Sequence, residues 1–119
     1  MSKSYEIVTY TTNCKDAGTD ADVYVKLYGS KGNTGKIFLD NEEDNFERGK
    51  IDRFTEEVED IGELQRIRVG HGSEGNKPGW HLTKIIVTDN QLNKEWVFPH
   101  NDWIAKDEPP GLEVLLYPA

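Results

Sequence analysis

Strand-forming residues alternate with polar ones along most of this chain, and Gly-, Pro- and Asp-rich stretches interrupt the alternation at short intervals. No segment sustains a helical period over three turns. A side-chain period of two is the signature of a strand with one buried face, so the pattern excludes a helical bundle. Residues 5–12, 22–29, 36–39, 51–58, 64–70, 80–88, 95–98 and 112–117 read as strands. In the second of these Val23, Val25 and Leu27 share one face, and Tyr24, Lys26 and Tyr28 the other. The glycine-rich stretch 29–35 reads as a tight reversal. The broken alternation at Ile85-Ile86 implies a bulge or a strand buried on both faces, and 101–105 reads as one helical turn. Eight short strands in 119 residues predict an all-β fold, an eight-stranded antiparallel β-sandwich forming a single domain over 1–119 with its core at about 5–117.

Two interruptions are dense in carboxylates. One is Asp16-Ala17-Gly18-Thr19-Asp20-Ala21-Asp22, and the other runs from Asp40 through Glu42, Glu43, Asp44, Asn45, Phe46, Glu47, Arg48 and Gly49 to Asp52. Neither can enter a core without burying unpaired carboxylates, so both must face water, a cation or a partner. If consecutive strands run antiparallel, the odd-numbered connections emerge at one end of the sandwich. Residues 13–22, 40–52, 71–79 and 100–111 carry formal charges of −2, −4, 0 and −2, which puts −8 at that end, while the even-numbered connections together carry −1. Clustered carboxylates, amide oxygens and glycine carbonyls suit a hard divalent ion, because calcium takes about six to eight oxygens from pliable loops. Neither loop has the helix-loop-helix calcium spacing, since the sixth position counted from Asp16 is Ala21. A site would be assembled between loops, and plain solvation of the acidic turns stands beside it as the alternative.

Composition narrows the functions. A net charge of −8 with no basic stripe argues against nucleic acid, and the same sign repels anionic lipid unless cations intervene. Cys14, the single cysteine, cannot form an internal disulfide and reads as a small loop residue in a reducing compartment. No apolar run reaches membrane-spanning length, and no hydrophobic segment follows Met1-Ser2-Lys3-Ser4 to act as a secretion signal, so the chain reads as soluble. His71, His81 and His100 lie in separate segments without zinc spacing, and His81 is expected to point to solvent. Nucleophile-elbow, phosphate-loop and dinucleotide motifs are missing from the sequence, so no catalysis is expected.

Several strings in order and at fitting spacing carry a resemblance. They are Ala17-Gly18-Thr19-Asp20-Ala21-Asp22-Val23, Leu27-Tyr28-Gly29, Asn45-Phe46-Glu47-Arg48-Gly49 with Asp52, Pro78-Gly79-Trp80-His81-Leu82, and Trp103-Ile104. Together they resemble the PLAT domain, the lipoxygenase-homology module shared by polycystin, animal lipoxygenases and clostridial α-toxin. Gly18 to Val23, and Asp44 to Glu47 leading to Asp52-Arg53-Phe54, most resemble the repeats of multi-copy PLAT proteins of hair-cell stereocilia. The resemblance implies docking onto membranes or membrane proteins, often helped by calcium between loops. Carried over by position, the implied calcium ligands are the carboxylates of Asp16 and Asp20, the carbonyl of Gly18, and Asp44, Asn45 and Glu47, with Glu74 from a third loop. Arg48 and Asp52 read as loop-fixing, and Gly49 as a backbone necessity.

The chain departs from membrane-inserting lipoxygenases at two loops, where exposed tryptophans give way to Lys15 and to the polar run from Ser73 to Lys77. Trp80 is expected in the core and Trp96 mid-strand. Lys15, Lys77 and Trp103 are the candidate membrane or partner contacts, although core packing competes for Trp103. Three functions follow as expectations. The first is a calcium-assisted module, monomeric as an isolated domain, that contacts lipid headgroups or a membrane-associated protein. The second is a calcium-independent protein-protein scaffold repeat, and the third a regulatory appendage of a lipase or lipoxygenase. The expected setting is cytoplasmic and peripheral to the plasma membrane, in stereocilia if the narrower resemblance holds.

Overall fold

A computed structural model describes residues 2–19, 21–40, 45–72, 79–105 and 111–119. Its eight strands are β1 (Ser2–Thr11), β2 (Val23–Gly29), β3 (Gly32–Phe38), β4 (Ile51–Glu59), β5 (Leu64–His71), β6 (Trp80–Asp89), β7 (Lys94–Ile104) and β8 (Glu113–Leu116). They form two four-stranded sheets, ordered β4-β1-β6-β7 and β3-β2-β5-β8, and every pairing within them is antiparallel. No helix occurs among the described residues, so none there is long and apolar enough to cross a membrane.

Alternation decides which side chains the sheets enclose. Tyr5, Ile7, Trp80, Leu82, Ile85, Val87 and Phe98 of the first sheet meet Val23, Val25, Leu27, Ile67 and Val69 of the second, and all are buried. Trp80 is fully buried, and its indole N–H reaches Thr11 Oγ1 at 2.8 Å, so its polar edge is satisfied inside the core. Trp96 lies buried within β7.

Three local expectations are corrected. Residues 101–105 do not form a helical turn, because β7 continues to Ile104. As an outer strand, β7 tolerates Pro99 and the positive φ of Asn101, 56°. The irregularity in β6 falls between Leu82 and Lys84 instead of at Ile85-Ile86. Ile86 turns outward beside Val8 and Val97. Finally, the reversal after β2 is confined to Ser30-Lys31, and β3 starts at Gly32. The stretch through Gly35 stays in the sheet because Thr34 Oγ1 accepts the N–H of Leu27 at 3.1 Å while Gly35 absorbs the register shift at φ 74°.

This topology brings the odd-numbered connections together. Thr11 N–H bonds to Lys50 O, Leu39 N–H to Val23 O, Gly72 N–H to Asp22 O, and His81 N–H to Ala17 O, so all these segments meet at one end of the sandwich.

Candidate functional site at the acidic pole

The first acidic turn closes on itself through Ala17 N–H to Cys14 O at 3.2 Å, with Asp16 at φ 62°. It is then fixed from two sides. His81 N–H donates to Ala17 O at 2.9 Å, and Thr19 N–H donates to Phe46 O at 3.0 Å. Gly18 is required here by proximity. A Cβ on it would lie 2.9 Å from Phe46 O, 3.0 Å from Arg48 N and 3.2 Å from Glu47 Cα, all of them backbone atoms. The second acidic turn thus lies directly against the first.

The second turn is shaped from beneath. Asp52 occupies an inward position of β4, in phase with Phe54, and is 1% exposed. Its Oδ2 accepts the N–H of Phe46 at 2.8 Å, and Lys50 Nζ lies 3.4 Å from its Oδ1. Those contacts hold Phe46 at φ 61°, with its ring buried between Phe54 (centroids 5.7 Å apart) and Trp80 (5.3 Å). Gly49 carries φ 72°, as a backbone requirement predicts. Arg48 fixes the loop by donating from Nε to Asn13 Oδ1 at 3.0 Å. Nothing in the sequence around Asn13 marks it for this role.

Of the implied calcium ligands, Asp16, Gly18, Asn45 and Glu47 are described, whereas Asp20, Asp44 and Glu74 lie outside the described residues, as does the candidate contact Lys77. Gly18 abuts Phe46, Glu47 and Arg48, and Asn45 is the adjoining residue. The side-chain oxygen Oδ1 of Asn45 is buried without a hydrogen-bond partner among the described residues. A buried amide oxygen left unpaired carries a desolvation cost of about 1–3 kcal/mol, which a cation would relieve. The described donors fit calcium in kind, being hard oxygens. They do not complete a site, for no group of three or more His, Cys, Asp or Glu among the described residues could hold a metal ion.

Two histidines are packed into the pole. His71 is 3% exposed, with Nδ1 2.6 Å from Gly72 O and Nε2 against Ile104 O, so it ties the end of β5 to the end of β7. His81 does not face open solvent. Its Nδ1 lies 2.7 Å from Thr12 Oγ1, and its ring stands edge-on to Trp103 with centroids 4.9 Å apart. Trp103 is half-buried in that contact and belongs to β7, not to a connection, whereas Lys15 is exposed in the first turn.

The family model for the PLAT/LH2 domain matches residues 5–116. The chain belongs to the PLAT/LH2 family. Over 107 residues, 90% of this chain, it is 47% identical to lipoxygenase homology domain-containing protein 1 of Mus musculus, of which it spans 5%. Two solved structures share its architecture. A coral 8R-lipoxygenase, described with calcium activation via a C2-like domain, superimposes with a TM-score of 0.87 at 25% identity, over 98% of this chain and 17% of that one. A calcium-dependent 11R-lipoxygenase gives 0.75 at 28% identity over the same shares. In each, a PLAT domain like this one is a small part of a longer protein.

Proposed function

We propose that this PLAT domain is a non-catalytic targeting module of 1–119 that docks onto a membrane surface or a membrane-associated protein, with calcium held between its two acidic turns. The observation that carries the reading is the junction of Gly18 with Phe46, Glu47 and Arg48, beside a buried Asn45 Oδ1 that has no hydrogen-bond partner among the described residues. Asp16, the Gly18 carbonyl, Asn45 and Glu47 would hold the ion together with Asp20, Asp44 and Glu74. Bound calcium would supply positive charge at a rim whose carboxylates otherwise repel anionic headgroups. The chain's own part is to hold the two turns in register through Thr19 N–H to Phe46 O and Phe46 N–H to Asp52. Calcium regulation in the two lipoxygenases supports the reading by likeness.

Contact with a membrane-associated protein is favoured over deep lipid insertion by two features. Trp103 packs against His81 and does not project, and Lys15 stands where an inserting residue would be needed. Lys15, Lys77 and the exposed edge of Trp103 are the proposed contacts, in a cytoplasmic, membrane-peripheral setting. Thermal melting during a calcium titration tests the metal. Ligand that binds only the folded form raises the midpoint, by about 2.7 kcal/mol of stability at a hundred times Kd. Asn45→Ala with Glu47→Gln should blunt the rise. An unchanged midpoint up to about 5 mM calcium, above the range of weak protein calcium sites, would refute the calcium reading. Vesicle co-sedimentation with and without calcium separates lipid from protein docking.

A further inference from the structure

The outward face of the β3-β2-β5-β8 sheet does not share the acidity of the chain. Val23, Val25, Leu27, Ile67 and Val69 point inward, so register sets the outward residues in three rows across the strands. They are Phe38, Tyr24, Gly70 and Glu113, then Lys36, Lys26, Arg68 and Leu115, then Asn33, Tyr28 and Arg66. Lys36, Lys26 and Arg68 thus stand opposite one another on adjacent strands, an arrangement of like charges that destabilises a sheet. The rows hold four cations against one carboxylate, Glu113, in a chain of net charge −8.

Two tyrosines make the clustering tolerable without removing its charge. Lys36 Nζ lies 4.5 Å from the Tyr24 ring centroid, while Lys26 Nζ and Arg66 Cζ lie 5.2 Å and 4.6 Å from that of Tyr28. Arg68 donates from Nε to Tyr28 Oη at 3.2 Å and from Nη1 to Glu113 at 2.8 Å, and Glu113 also accepts from the Tyr24 hydroxyl. Apolar side chains stand at both margins. Phe38 is 60% exposed at the end of β3, and Tyr117, just past β8, is 61% exposed.

We propose that this face is a calcium-independent docking surface for a bilayer carrying anionic headgroups. Charge complementarity selects an anionic partner, and the exposed aromatic margin selects a bilayer over a peptide. Lipid headgroups move laterally and gather beneath the cations. Aromatic rings beside the cations suit the headgroup level of a membrane. The surface is a flank of the sandwich, separate from the acidic rim at the strand ends, and the Debye length of about 8 Å at physiological salt lets the local charge govern contact.

The test is co-sedimentation with phosphatidylcholine vesicles containing about 30% phosphatidylserine, with EGTA present to silence the rim. Each basic side chain at an anionic surface changes partitioning about five-fold, so Lys26→Gln/Lys36→Gln should lower it roughly 25-fold. Lys26→Arg/Lys36→Arg should retain it. A matched control, Lys84→Gln/Lys94→Gln, removes two lysines that stack on Tyr10 and Trp96 of the other sheet, and should stay within about two-fold of wild type. Binding should weaken as salt rises. The proposal is overturned if wild type fails to sediment in EGTA, if both glutamine pairs lose binding equally, or if a Glu-rich peptide binds this face while vesicles do not. The calcium-induced melting shift is measured separately on the same variants, so failure of this face and failure of the rim are distinguishable.

Discussion

Substituting Gly18 by alanine addresses the contact on which the acidic pole is built. The added methyl would sit 2.9 Å from Phe46 O and 3.0 Å from Arg48 N, and neither is a flexible side-chain end that could swing aside. The two turns must part. Overpacking of this kind costs about 1–3 kcal/mol, and losing the 3.0 Å bond from Thr19 N–H to Phe46 O adds about 1 kcal/mol. A total of about 2–4 kcal/mol, at roughly 4 °C per kcal/mol for a chain of this size, lowers the melting midpoint by about 8–16 °C. Gly79→Ala is the control. Its nearest neighbour would be Ala105 Cβ at 3.4 Å, an ordinary contact, so it should cost less than about 1 kcal/mol. Melting followed by circular dichroism reads both, and calcium should recover less stability in Gly18→Ala than in wild type. A Gly18→Ala midpoint within about 2 °C of wild type, or an equal fall in Gly79→Ala, would refute the close-approach argument.

Asp52→Ala leaves the Phe46 N–H without its acceptor and removes one ion-pair contact of Lys50, and should cost about 1–3 kcal/mol in urea unfolding. An unaltered urea midpoint would show that the second turn does not depend on this carboxylate. Asp89 provides a pH test. Burial alone would raise its pKa, but the hydrogen bond from Lys3 Nζ at 3.1 Å and the N–H groups of Leu92 and Gln91 outweigh burial and hold it below the usual carboxylate value. A depressed folded pKa means that its stabilisation is present above the unfolded value of about 3.9 and is lost as pH falls through the folded one. Wild type should therefore lose more stability than Asp89→Asn between about pH 5 and pH 3, and parallel pH profiles would contradict this.

The strands were legible because alternation survives wherever one face is enclosed, as at Val23, Val25 and Leu27. Legibility failed where the environment of a strand decides its conformation. None of His100, Asn101 and Asp102 is buried, so no period shows there, and only the outer position of β7 explains why Pro99 and a left-handed Asn101 remain in a sheet. At the pole, the even-odd rule brought the right segments together, and Asp52 in phase with Phe54 was a readable sign of a carboxylate turned inward. The bond from Arg48 to Asn13 was not readable, since the partners are 35 residues apart and join only after the strands have paired. His71 was likewise unremarkable in sequence, because the carbonyls that receive its ring belong to Gly72 and Ile104.

The two ends of the described chain are anchored unequally. β1 sits between β4 and β6 and is bonded along both sides, whereas β8 borders its sheet with four residues paired to β5 alone. Both strands point their outer ends away from the acidic rim, so tension applied through the termini would break the bond from Ala119 N–H to Val97 O and then open the pairing of β8 from Leu116 one rung at a time, like a zipper. β1 would have to part from two neighbours at once. Under mechanical load the domain would therefore yield first at β8, uncovering the Arg68 side of the basic face while the turns that carry the acidic rim stayed folded.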